Sequence, residues 1–185
     1  LAALAEAALG ACVFGLALWR LDRHRLGTPC ADVVWRRAHI EPADVALYPD
    51  FMAKISPEDM RLRFLAPRRN FSGDMLKRLT QLDYDRDMAF VALEKESGAL
   101  AGVCRLSCDP DKDVGEYGLL VRTDQQGRGL GWALLRQIID FAKAEGVGKI
   151  EGVILTENAK MLKMAREFGF KPARHPDGPG LTLAT

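Results

Sequence analysis

The stretch VRTDQQGRGLGWALLRQIIDFAKAEG, residues 121–146, sets Gly127, Gly129 and Gly131 at alternate positions, with Arg128 among them. Glycine adopts positive φ without strain and lets another group approach the backbone closely. The apolar-periodic run behind the cluster reads as a helix, and a helix N-terminus carries unpaired N–H groups and a partial positive charge. A glycine cluster at that point is suited to hold a diphosphate. The alternative is a turn that is only tight. The spacing is not that of a P-loop, because no Gly-Lys-Ser/Thr follows, and it is not Gly-x-Gly-x-x-Gly.

Two further groupings bear on metals. In DPDKDVGEY, Asp109, Asp111 and Asp113 alternate as in a calcium loop. Val114 stands where the sharp-turn glycine belongs, and Leu120 takes the place of the bidentate glutamate. The cysteines Cys12, Cys30, Cys104 and Cys108 show no CxxC spacing, and no histidine pair accompanies them. No metal is therefore expected. Cys104 and Cys108, four apart in a strand-like run, share a face and read as buried thiols.

Elements must position these groups. VVWRRA, from Val33, reads as a strand, and EPADVALYPDFMAKI reads mainly as a helix. In SPEDMRLRFLA, Ser56 is an N-cap, Pro57 fits the first helical position and Asp59 closes a capping-box-like turn. SGDMLKRLTQLD repeats the pattern from Ser72. The period then changes to two. MAFVALEK and LAGVCRLSC form a hairpin across ESGA, and GEYGLLV is the next strand. The glycine cluster opens a helix to about Glu145. KIEGVILT is a strand, and NAKMLKMAREFG is a helix with Asn158 as N-cap and Gly169 as its left-handed stop. FKPAR and LTLAT are weak strands around PDGPG. The order is βααβββαβαββ, an α/β (α+β) chain.

Gln126, Gly129 and Gly131 resemble the Q/R-x-x-G-x-G/A signature of the GNAT superfamily of N-acetyltransferases. The signature follows the fourth strand and opens the next helix, and Asn158 with the later Gly169-Phe170 resembles a second element of that superfamily. The resemblance covers about Val33 to Thr185. It implies a GNAT-like mixed, mostly antiparallel sheet with a splayed fourth and fifth strand pair, flanked by helices. SPEDMRLRFLAP, LTQLDYDRDMAFVAL and MLKMAREFGF further resemble the acetyltransferase domain of bacterial protein lysine acetyltransferases.

The resemblance implies a ligand and its placement. Acetyl-CoA would lie where the two strands splay, with the backbone of Leu119, Leu120 and Val121 paired to the pantetheine arm. Gln126, Gly127, Arg128, Gly129, Leu130, Gly131 and Trp132 would hold the pyrophosphate, and Asn158 would contact pantetheine or the far wall. N–H groups near Leu120 would stabilise the oxyanion. The acceptor would be a protein lysine, whose amine is deprotonated in only about one molecule in 2,500 near pH 7. A general base is needed, and Glu116 matches the position of that base. Many members place a proton-donating tyrosine seven residues after the asparagine; here that position is Ala165. The run RLRFLAPRR, with Arg61, Arg63, Arg68 and Arg69, could meet an acidic protein surface or the CoA 3′-phosphate. The plainer expectation is a solvated face with Leu62, Phe64 and Leu65 packed beneath it.

The chain has 185 residues, 48% hydrophobic, with a net charge of +1. This suits one globular domain with a sizeable core and gives no footprint for nucleic acid. Residues 33–185 form the expected acetyltransferase domain, with 26–32 as a linker and 1–25 as an extra apolar helix. LAALAEAALGACVFGLALW has a membrane-spanning length and a stripe of small residues at Ala3, Ala7, Ala11 and Gly15. Arg20, Arg23 and Arg25 would then lie on the cytoplasmic side with the rest of the chain. A soluble packing helix and a signal peptide are the alternatives to a membrane anchor or membrane-protein partner through residues 1–19. Three functional readings stand: a protein lysine acetyltransferase, a small-molecule amine acetyltransferase using the same site, and a GNAT-like accessory subunit on a membrane complex.

Overall fold

The computed structural model describes residues 33–38, 42–66, 83, 85–176 and 178–185. The chain divides into Leu1–Ala31 and Asp32–Thr185, and every described residue belongs to the second unit. The expected N-terminal helix, the linker over 26–32 and the helix expected from Ser72 lie outside the described residues.

Among the described residues seven strands form one sheet: β1 (Val33–Ala38), β2 (Asp87–Glu94), β3 (Leu100–Cys108), β4 (Val114–Val121), β5 (Lys149–Leu155), β6 (Pro172–Arg174) and β7 (Leu181–Ala184). Their order is β1-β2-β3-β4-β5-β7-β6. Neighbours are antiparallel except β4 and β5, which run parallel. Among the described residues four α-helices join them: α1 (Tyr48–Ala53), α2 (Pro57–Phe64), α3 (Leu130–Ala144) and α4 (Ala159–Glu167). The single helix expected from Pro42 is divided. Pro42–Leu47 is a 3-10 turn, and α1 begins only at Tyr48. Pro49 explains the break, because its ring cannot donate to the preceding turn and is tolerated only where a helix starts.

Strand alternation sorts the core into two faces. Ala89, Val91 and Leu120 meet Tyr48, Phe51, Ile55 and Met60 from the α1–α2 side. Phe90 points the other way, edge-on to Phe141 of α3 with ring centroids 6.2 Å apart. α3 buries Leu130, Ala133, Leu134, Leu135, Ile138, Ile139 and Ala142 on that side. Each large side chain so buried contributes roughly 1.5–3 kcal/mol. A smaller cluster of Ile154, Leu162, Ala165 and Ala184, with Phe170 against it, seats α4.

The parallel pair is short. Val114, Gly115 and Glu116 pair with Lys149, Ile150 and Glu151. β5 then continues alongside β7 from Gly152 to Leu155. Tyr117 wedges the point of parting: a Cβ on Gly152 would lie 2.5 Å from its ring carbon Cζ. From Tyr117 to Val121, about 17 Å of strand, the β5 side of β4 pairs with none of the described strands.

Candidate active site

A cleft of about 660 Å³ opens where β4 and β5 part. It brings together Glu116, Leu119, Leu120, Val121, Gln126, Gly127, Gly129, Leu130, Gly131, Trp132 and Asn158, all singled out from sequence. Arg128 is not among the lining residues; its Nη1 donates to Oε1 of Gln125 at 2.6 Å.

One end of the cleft is backbone. After β4 comes a short 3-10 turn, Thr123–Gln125, and then Gly127 and Gly129 at φ 77° and 81°. Any other residue would be strained there. Gly129 is the N-cap of α3 and brings no side chain to bond the first-turn N–H groups. Those groups, at Leu130, Gly131 and Trp132, belong to residues that line the cleft. A Cβ on Gly131 would meet Leu119 and Val121 at 3.4 and 3.6 Å, ordinary contacts. Protein packing therefore does not demand this glycine; its missing side chain keeps the cleft open. Trp132 is 37% exposed and stacks on Phe168, ring centroids 4.6 Å apart, with the Arg136 guanidinium 5.5 Å from its ring. This makes an aromatic ledge beside the helix start.

The other end is side chains. Glu116 is the last β4 residue paired to β5, and its side chain is exposed. Alternation puts Glu116, Gly118 and Leu120 on the α1–α2 face. Arg63 of α2 comes down onto Gly118: a Cβ there would lie 1.9 Å from Nη2 and 2.4 Å from Cζ. Its position follows from helix geometry, because Met60, three residues earlier, is buried in the core and shares its face. The expectation of a solvated basic face is thus corrected at Arg63. Phe64 does pack on the core, while Leu62 and Leu65 line the cleft. Arg68 and Arg69 lie outside the described residues. Arg61 stays outward, bonded to Glu58 at 2.7 Å and paired with Glu157 beyond β5, so it ties the two walls together.

Asp59 holds α2 against the glycine turn. Its carboxylate accepts from Oγ of Ser56 at 2.7 Å and Oγ1 of Thr123 at 2.5 Å. Burial works against its charge, but the hydrogen bonds from Thr123, Gln126 and Ser56 outweigh it and hold its pKa below the ordinary carboxylate value. Leu65 caps α2 in the left-handed region at φ 61°, a conformation that no glycine in the sequence announces. Asp59 was legible as a capping residue but not as a cleft residue. Arg63 and Glu157 carried no local signal of their place.

Asn158 uses its side chain within the protein: Oδ1 accepts from Met161 N–H at 3.1 Å and caps α4. Ala165 is fully buried in the α4 cluster. Tyr117, on the opposite face of β4 from Glu116, has a buried hydroxyl without a hydrogen-bond partner, and burial raises its pKa. Burial likewise pushes the Cys104 thiol up to about 12. In the aspartate-rich loop, Asp109 accepts from the N–H groups of Asp113 at 2.8 Å and Val114 at 3.2 Å, which makes it a turn former. Among the described residues no group of three or more His, Cys, Asp or Glu could hold a metal ion. No helix of the described residues is long and apolar enough to cross a membrane.

Comparison with known proteins agrees with this geometry. Residues 56–170 match the acetyltransferase (GNAT) family. An acetyltransferase of Pseudomonas aeruginosa is 33% identical over 129 residues, 69% of this chain and 69% of that protein. A mycothiol acetyltransferase of Beutenbergia cavernae is 34% identical over 90 residues, 48% of this chain and 30% of that one. The crystal structure of the GNAT domain of S. lividans PAT superposes with a TM-score of 0.72 at 25% identity, covering 81% of this chain and 87% of that domain. A phosphinothricin acetyltransferase from Sinorhizobium meliloti, solved in complex with acetyl-CoA, shares the fold with a TM-score of 0.64 at 19% identity, covering 83% and 85%.

Proposed function

The chain belongs to the acetyltransferase (GNAT) family, and from that premise we propose that it transfers acetyl from acetyl-CoA to the ε-amine of a protein lysine. The observation that carries the reading is the layout of β4. Its free edge runs from the carboxylate of Glu116 to an uncapped helix N-terminus flanked by two left-handed glycines.

Each part has a task in that reaction. The N–H groups of Leu130, Gly131 and Trp132 face the pyrophosphate with the positive end of the α3 dipole behind them. The open edge from Leu119 to Val121 pairs with the pantetheine arm as a missing strand would. Glu116 takes a proton from the lysine ammonium, directly or through one water, so that the neutral amine attacks the thioester carbon. An N–H near Leu120 bonds the oxyanion of the tetrahedral intermediate. The nitrogen, cationic after the attack, gives its second proton to water as the C–S bond breaks, and the departing thiolate takes a proton back from water, so that neutral amide and CoA thiol are released. Ala165 has no proton to give, and the Tyr117 hydroxyl is sealed beside Gly152. The lysine acceptor is supported by the SPEDMRLRFLAP and MLKMAREFGF resemblance.

Release of CoA on mixing the protein with acetyl-CoA and a lysine-containing protein tests the proposal. Acetyl-lysine in that protein is the expected product. Acetyl-CoA binding with turnover of small amines alone would replace the protein acceptor with a small molecule. Attachment to a membrane through residues 1–19 is a separate proposal resting on the sequence. It predicts that deleting residues 1–25 moves the chain from the membrane to the supernatant fraction.

A further inference from the structure

We propose that Arg63 is a carboxylate-binding residue of the acceptor pocket, so that the preferred acceptor amine carries a carboxylate close by. The inference rests on the acyl-transfer reading above and deepens it at the acceptor end.

Its basis is a contrast among arginines. Arg105, on the same sheet face, pairs with Asp87. Arg122 pairs with Glu94 at 3.1 Å and Asp124 at 2.5 Å, and Arg61 with Glu58 and Glu157. Arg63 forms no hydrogen bond or ion pair among the described residues. Its recorded partner is the ring of Phe64, 5.2 Å from the guanidinium carbon. Yet the side chain is half-buried and lies in the cleft. Burial, the largest cause, holds its pKa below the ordinary value, against opposing pulls from Cys104 and Glu116. A guanidinium partly withdrawn from water, with no described carboxylate in hydrogen-bond reach, is unfavourable unless something answers it.

The place is also specific. The guanidinium occupies the position a Cβ of Gly118 would take. Glu116 is two residues away on the same face, roughly 7 Å along the strand. An amine that gives its proton to Glu116 therefore stands within a few bonds' reach of Arg63. The planar fork of Arg63 matches a carboxylate with two parallel hydrogen bonds. It also repels a second ammonium, which disfavours diamines. The carboxylate can belong to an acidic residue beside the target lysine or to a free amino acid. The chemistry is the same, and the test separates the two sources.

The test uses two matched pairs of acceptors. One is a lysine peptide with Glu or Gln beside the lysine. The other is Nα-acetyl-lysine or its amide. The full chain should show a lower KM for the carboxylate member of a pair. Arg63→Gln should raise that KM at least roughly tenfold and leave the amide member within about twofold, with kcat kept. Arg63→Lys should recover part of the loss. The thermal shift produced by acetyl-CoA, unchanged in both variants, controls for folding. Equal KM values within each pair for the parent protein would overturn the proposal, with no variant needed. So would an equal rise for both members, or a fall in kcat with a displaced acid limb for both, which would make Arg63 a tuner of Glu116. If both peptides are inert while the lysine derivatives react, the protein acceptor fails as a reading. The derivative pair then decides the role of Arg63 alone.

Discussion

Along β4 the cleft changes its building material. From Leu119 to Trp132 its lining comes from one contiguous stretch of chain, in which Gly127, Gly129 and Gly131 leave the peptide groups of the turn open to the cleft. Around Glu116 it is lined by side chains from α2, from β4 and from the turn before α4, which lie far apart in sequence. The first end suits a ligand that never varies, because backbone N–H groups need only a fixed turn. The second end suits a choice between ligands, because side chains can be exchanged one at a time without disturbing the turn.

This contrast can be broken or sharpened by substitution. The largest effect is expected for Glu116→Gln. Turnover should fall by roughly 100-fold or more, while acetyl-CoA binding by calorimetry stays the same. Unchanged turnover would remove Glu116 from the chemistry; weakened cofactor binding would merge the two ends. Gly118→Ala should leave stability nearly unchanged by chemical denaturation, because the new methyl meets only the tip of the flexible Arg63 side chain, which can swing off it into the cleft. Acceptor KM should rise as the guanidinium moves, while the affinity for acetyl-CoA holds. Gly131→Ala is the mirror test. Its methyl has room among the protein's own atoms, so Tm should not move, but affinity for acetyl-CoA should drop by roughly tenfold. A drop in Tm with unchanged affinity would make that glycine structural.

The smallest effect concerns Asp59, which joins the two ends through Ser56, Thr123 and Gln126. Its folded pKa lies below the unfolded value. The stability it contributes is therefore fully present above about pH 4 and is lost as pH falls through the folded pKa. Asp59→Asn should lower stability at neutral pH and flatten its decline in acid, as followed by thermal melts across pH.

The two ends were also unequally legible in the sequence. QQGRGLG announced itself because a left-handed turn leading into a helix is encoded by adjacent residues. The order of the elements along the chain followed from local periodicities, whereas the mixed sheet and its splayed fourth and fifth strands came only with the family resemblance. Pro49 shows the limit of periodicity, since it broke a helix whose apolar spacing ran on through it. Arg63 shows the limit of composition. Within RLRFLAPRR it looked like one of several surface charges, and only the phase of α2 against Met60 turned it inward. Glu157 faces Arg61 across nearly a hundred residues, a separation no short motif spans.

The parted strands have one more consequence, in time rather than in space. Peptide groups between Tyr117 and Val121 that point away from β3 are shielded by none of the described strands. Such amides exchange their hydrogen with solvent quickly, although they sit in the middle of a sheet. A ligand that fills the gap would slow them together. Deuterium uptake over this one segment would then act as a clock for occupancy, readable before any acceptor is known.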